Sequence, residues 1–175
     1  CGMPMIIHVY KRCLLAKKLD EVYVATDNTK IKDVVELYGG KVIMTSSLHQ
    51  TGTDRIAEAA KTIDADTIVN VQGDEALLNP GYIDKAVLAL HNNPKINVSI
   101  LVNSFNRRNS PSDMKVVLNE KDEVMYFSRA DIPSDFRKNG HELLKAYHIV
   151  PFRKFFLLEF SQWKEGSLEQ IEFNE

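Results

Sequence analysis

The chain has 175 residues, 44% of them hydrophobic, with 22 basic and 24 acidic side chains and a net charge of −2. That is enough apolar material for one domain to bury a core without a membrane or disulfide staples. The interspersed charges exclude the single-sign field that holds nucleic acid or an anionic bilayer, no apolar run approaches the ~20 residues that span a membrane, and no segment reads as a signal peptide.

Pro4 suits a first helical turn, and Ile6, Tyr10, Cys13, Leu14 and Lys17 follow at three- and four-residue spacing, which predicts a helix over 4–18. Cys1 and Cys13 lack metal-ligand spacing, and Cys13 reads as a small buried apolar residue, so a reducing compartment, the cytoplasm, is expected. EVYVAT at 21–26 alternates as a strand into Asp27, a helix over 28–38 presents Val34, Val35 and Tyr38, and Gly39-Gly40 stops it. KVIMT at 41–45 is the next strand, residues 53–63 a third helix, and TIVNVQ at 67–72 a third strand. Pro80 then opens a helix running to about His91.

Such alternation predicts an α/β fold with a mixed, mostly parallel sheet in three layers, with ligands beyond the carboxyl ends of the strands. From Val98 the pattern changes. VSILV, MKVVLN and EVMYFS read as antiparallel or mixed strands with a turn at 119–122. Residues 151–162 and 167–173 read as two short helices, the second capped by Ser167 with Gln170 at capping-box spacing. No repeat or linker divides the chain. It opens into a helix without the strand that usually begins such a unit and ends inside a helical pattern, so it is expected to be clipped at both ends.

Three motifs carry chemistry. VNVQGDE at 69–75 ends an apolar strand in Gly73, where the backbone can approach a ligand, followed by Asp74 and Glu75. Hard oxygen ligands there suit Mg²⁺, which takes one or two protein carboxylates plus water and phosphate; the bland reading is a solvated acidic cap. HQTGTDR at 49–55 sets Gln50, Gly52, Thr53 and Arg55 at a helix start, where unpaired N–H groups favour an anion, or where Thr53 is simply an N-cap. Ser128-Arg129, after the strand VMYF, is the third, since Arg can clasp a carboxylate with paired hydrogen bonds, although a lone Arg at a strand end is usually a surface ion-pair residue. His49, Tyr147, His148, Glu169, Gln170 and Glu172 read as structural unless the sheet brings them to the same rim. Trp163 and the Phe-rich run 152–160 read as core or as a subunit contact.

HQTGTDR, IVNVQGDE, MKVVLN, VMYFSRADIP and SLEQIE, in that order, resemble the sugar-acid cytidylyltransferases over nearly the whole chain. The resemblance implies a Rossmann-like nucleotidyltransferase, usually a homodimer, that joins CTP to a keto-sugar acid such as 3-deoxy-manno-octulosonate and releases pyrophosphate for surface polysaccharide synthesis. It implies one nucleotidyltransferase domain, with a nucleotide-binding part at about 1–95 and a sugar-binding and dimerisation part at about 96–175. Asp74 would hold Mg²⁺ and Gln72 would lie against the acceptor sugar. Gln50, Gly52, Thr53 and Arg55 would surround the cytidine, Arg129 would steer the sugar carboxylate, and Glu172 would face sugar hydroxyls.

The family's first strand, its Arg-, Ser- and Lys-rich phosphate loop and a later metal-binding Asp have no counterpart here, and Ala76 and Ala146 stand where Pro and His are usual. Two alternatives follow: a noncatalytic nucleotide-binding fragment, or a sibling nucleotidyltransferase with another acceptor. All these expectations require the residues around Gly52 and around Gly73 to share one cleft.

Overall fold

The computed structural model describes residues 2–134, 136 and 141–172, so Cys1 and the last residue of the expected helix 167–173 lie outside it. The chain forms two compact units, Cys1–Ser99 with His148–Trp163, and Ile100–Tyr147 with Lys164–Glu175. The first thus takes in more than the 1–95 segment read from sequence, because residues 148–163 return to it.

In the first unit the order is α1 (Met5–Cys13), β1 (Tyr23–Thr26), α2 (Thr29–Leu37), β2 (Lys41–Met44), α3 (Gly52–Ala60), β3 (Thr67–Val71) and α4 (Pro80–Asn92). α1 stops well short of residue 18. The Asp84 carboxylate on α4 accepts the amides of Lys17 and Lys18, each at 2.8 Å, and so holds an irregular turn where the spacing predicts helix. α2 is capped by the Asn28 side chain, which accepts from Lys30 N at 2.9 Å. It ends at Gly39, whose φ of 74° is cheap only for glycine, while a Cβ on Gly40 would meet Val35 Cγ1 at 2.5 Å.

β1 and β2 pair in parallel around α2, a β–α–β unit. β3, however, pairs antiparallel with β8 (Ile149–Arg153), which occupies the start of the helix expected at 151–162. The β-branched Ile149 and Val150 favour strand, and Pro151 would break a helix interior. Helix begins only at α5 (Lys154–Phe160). Among the described residues of this unit, Ile7, Tyr10, Val24 and Val35 pack as one core cluster and Ala57, Ala60, Ile68, Phe152 and Leu157 as another.

The second unit holds β4 (Val102–Phe105), β5 (Lys115–Leu118), β6 (Val124–Ser128) and β7 (Leu143–Ala146) in one antiparallel sheet ordered β4-β7-β5-β6, followed by α6 (Ser167–Glu172). β7 has no counterpart among the strands read from sequence, and of VSILV only Val102 enters β4, while Val98 forms an isolated bridge with Phe152. The α/β class therefore stands, but among the described strand pairs only β1–β2 is parallel. The mostly parallel expectation gives way because β3 pairs antiparallel with β8, and β4 with β7, across long stretches of sequence that local periodicity does not report. No helix among the described residues is long and apolar enough to cross a membrane.

Candidate active site

The first unit encloses a cavity of about 750 Å³, walled by β1 and β3 and by residues of α1, α3 and α4. Gly52 and Arg55 from the start of α3 and Gln72 and Gly73 from the end of β3 all line it. Residues of both turns whose convergence the sequence reading required are therefore part of the lining of one cavity. Gln50, Thr53 and Asp74 are not among the lining residues. Gln50 is exposed and folds back to donate to Leu48 O at 3.2 Å. Thr53 is buried within the first turn.

α3 is built to hold this loop. Its cap is Thr51, not Thr53: Thr51 Oγ1 accepts from Asp54 N at 3.1 Å, and Asp54 adds a carboxylate to the first turn, where the helix dipole favours it. Arg55 then reaches the carboxyl ends of two strands. Its Nη1 donates to Thr45 Oγ1 at 2.7 Å and Ser46 O at 3.3 Å just past β2, and lies 3.4 Å from the Asp27 carboxylate just past β1. Glu58, one turn on, accepts from Ser46 N at 3.0 Å and from the His49 ring. The His49 hydrogen bond, then the Ser46 amide, hold the Glu58 carboxyl below its ordinary range. Sequence reasoning left Glu58 out, although its place three residues after Arg55 puts both on one helix face.

At the end of β3, Glu75 N donates to Gln72 O at 3.2 Å and Ala76 N to Asp74 O at 2.8 Å. A proline at position 76 would lack that second donor. Asp74 is exposed, and among the described residues no hydrogen bond or ion pair engages its carboxylate or that of Glu75. No group of three or more His, Cys, Asp and Glu gathers for a metal among the described residues. The donor set fits an ion that takes one or two protein carboxylates and fills its shell with water and phosphate oxygens, as Mg²⁺ does.

The second unit carries the other expected residues. Glu172 on α6 accepts from Ser128 Oγ at 2.6 Å, Arg129 N at 2.8 Å and Tyr126 Oη at 3.1 Å. The Ser128 bond, followed by the Arg129 amide, depresses its pKa. Arg129 answers with Nε to Glu172 O at 2.7 Å and Nη1 to Pro111 O at 3.0 Å. Both residues are thus joined at one strand exit. The cap of α6 falls one residue earlier than expected, with Glu169 reaching back to Gly166 N at 3.2 Å in place of the Ser167 and Gln170 pair. His148 is exposed between β7 and β8, and Tyr147 N donates to Leu101 O at 2.9 Å.

Residues 1–174 match a family model described as cytidylyltransferase. The 3-deoxy-manno-octulosonate cytidylyltransferase of Geobacter metallireducens is 39% identical over 186 residues, covering 98% of this chain and 73% of that protein. The enzyme of the same name from Escherichia coli is 36% identical over 173 residues, covering 98% and 70%. Among solved structures, CMP:2-keto-3-deoxy-manno-octonic acid synthetase complexed with CTP superposes with a TM-score of 0.92 at 35% identity, over 97% of this chain and 71% of that one. HddC from Yersinia pseudotuberculosis, at 11% identity and a TM-score of 0.56 over 87% of this chain and 64% of that one, shares the fold.

Proposed function

Because this chain belongs to the cytidylyltransferase family, we propose that it transfers CMP from CTP to 3-deoxy-manno-octulosonate and releases pyrophosphate, a step toward lipopolysaccharide or surface polysaccharide. The observation that carries the reading is the match of residues 1–174 to the cytidylyltransferase model together with the superposition, at a TM-score of 0.92, on the synthetase complexed with CTP; Gly52, Arg55, Gln72 and Gly73 also line a single cavity. Gln50, Gly52, Thr53 and Arg55 form the cytidine side, and the hydrogen bonds of Arg55 and Glu58 hold that loop in one conformation before the nucleotide arrives. Gln72 faces the acceptor. Arg129 receives the acceptor carboxylate and Glu172 its hydroxyls.

The anomeric hydroxyl attacks the α-phosphate in line, so no covalent enzyme intermediate is required and positioning with electrostatics supplies most of the rate. Asp74, exposed at the end of β3, would hold Mg²⁺. When bound, the ion neutralises charge developing on the leaving pyrophosphate.

The fold reading belongs to the same proposal: a Rossmann-like three-layer arrangement, supported by the parallel unit of β1, α2 and β2. We read the molecule as a cytoplasmic homodimer. Trp163, 56% exposed and packed edge-on against Phe156 and Phe160, offers an apolar surface for a second copy. The buried thiol of Cys13, pushed up to about 11 by desolvation, is an inert apolar residue suited to a reducing compartment. The test is pyrophosphate release with Mg²⁺, comparing CTP with other nucleoside triphosphates and 3-deoxy-manno-octulosonate with other keto-sugar acids. Release confined to CTP and that acceptor is expected; release with another pair redirects the assignment, and none at all removes it.

A further inference from the structure

The stretch MKVVLN contributes a side chain that the reading above leaves unused. Lys115, at the start of β5, is completely buried. Taking an ammonium out of water is costly, and an apolar residue of similar volume would fill a sheet interior with less penalty. The compensation is specific. Lys115 Nζ donates to Ser110 O at 2.6 Å, to Asp113 O at 2.8 Å and to Arg129 O, and lies 3.7 Å from Asp131 Oδ1. An ammonium has three donors, and all three go to backbone carbonyls, so none remains for a substrate.

What this arrangement achieves follows from where the carbonyls come from. Two belong to the turn before β5 and the third to the exit of β6. The backbone of Arg129 is consequently gripped on both sides, its N–H by Glu172 Oε2 and its carbonyl by Lys115. Its guanidinium donates to Pro111 O, which lies in the same turn that Lys115 gathers. Asp131 extends the arrangement by accepting Asn109 N at 2.9 Å, and Asp113 is engaged by Ser110 Oγ at 2.5 Å and by Lys145. Lys115 therefore fixes both the backbone that carries Arg129 and the turn against which its side chain rests.

We infer that Lys115 is a positioning residue for Arg129, setting the orientation in which the guanidinium receives the carboxylate of the acceptor sugar; this rests on the proposed role of Arg129. Paired hydrogen bonds from a planar fork depend on angle as well as distance, so a small rotation of Arg129 weakens carboxylate capture while the arginine itself remains.

The experiment is a double-mutant cycle in steady-state kinetics with CTP and 3-deoxy-manno-octulosonate, using Lys115→Met, Arg129→Ala and the double variant, each checked by thermal melting. Lys115→Met is expected to raise the sugar-acid KM about tenfold while moving the CTP KM less than about twofold, and to add nothing in the Arg129→Ala background. Multiplying effects in the double variant, or equal rises in both KM values, would overturn the inference and leave Lys115 as a holder of the fold alone. Should Lys115→Met not fold, Lys115→Gln keeps a neutral donor and is expected to raise the sugar-acid KM by a smaller factor; an unmoved value counts against the proposal. Turnover by the unaltered chain with the wrong cycle sinks this inference only, whereas no turnover by the unaltered chain sinks it together with the proposed reaction.

Discussion

Arg129 and Glu172 hold each other in both directions: the Glu172 carboxylate accepts the Arg129 amide at 2.8 Å, and Arg129 Nε donates to the Glu172 carbonyl at 2.7 Å. Because Glu172 has a depressed pKa in the folded chain, its contribution to stability is complete above the ordinary Glu value of about 4.3 and is lost as pH falls through the lower folded value. Glu172→Gln is therefore expected to melt below the unaltered protein at neutral pH, with the gap closing as acid protonates Glu172. Melting curves from pH 7 downward check this; a gap that stays constant with pH would remove the charge from the account.

Arg129→Ala is expected to raise the KM for the sugar acid more than that for CTP. Arg129→Lys should rescue little, because a point charge cannot supply the planar fork. Equal changes in both constants would argue against a carboxylate role.

Arg55 spans the ends of β1 and β2 through Thr45, Ser46 and Asp27. Arg55→Ala is expected to raise the CTP KM roughly tenfold or more by releasing the 46–50 loop, while leaving the sugar-acid KM near its starting value. Steady-state titration of each substrate separates these outcomes.

The Asp74 side chain is exposed, with its carboxylate unengaged among the described residues. Asp74→Asn should abolish Mg²⁺-dependent pyrophosphate release without shifting the melting temperature. Retained turnover would move the metal elsewhere.

Leu90 is fully buried on α4 and Leu143 fully buried on β7. Truncating either to Ala is expected to cost about 2–5 kcal/mol, since neither site can collapse without disturbing packed neighbours. Denaturant unfolding measures it.

The helices and the first three strands were legible because their apolar residues repeat locally, and the Asn28 and Pro80 starts are written in adjacent residues. β8 was hidden because its partner β3 lies some eighty residues earlier, and PFRKFF taken alone carries a helical pattern that begins to apply only at Lys154. Gly52 and Arg55 could be picked out from their place at a helix start, whereas Glu58 and Lys115 could not. A glutamate on a helix looks solvated, and a lysine at the head of a strand looks exposed, until the carbonyls and amides they satisfy are seen. The one available hint for Lys115 was its apolar setting, with Met114 before it and Val116 and Val117 after it.

The placement of Cys13 has a consequence for handling the protein. Its side chain is buried on α1 and its thiol is pushed up to about 11 by desolvation, so it stays protonated at neutral pH. Alkylation at Cys13 by a thiol-directed reagent is therefore expected to be slow in the folded chain and to report the opening of α1.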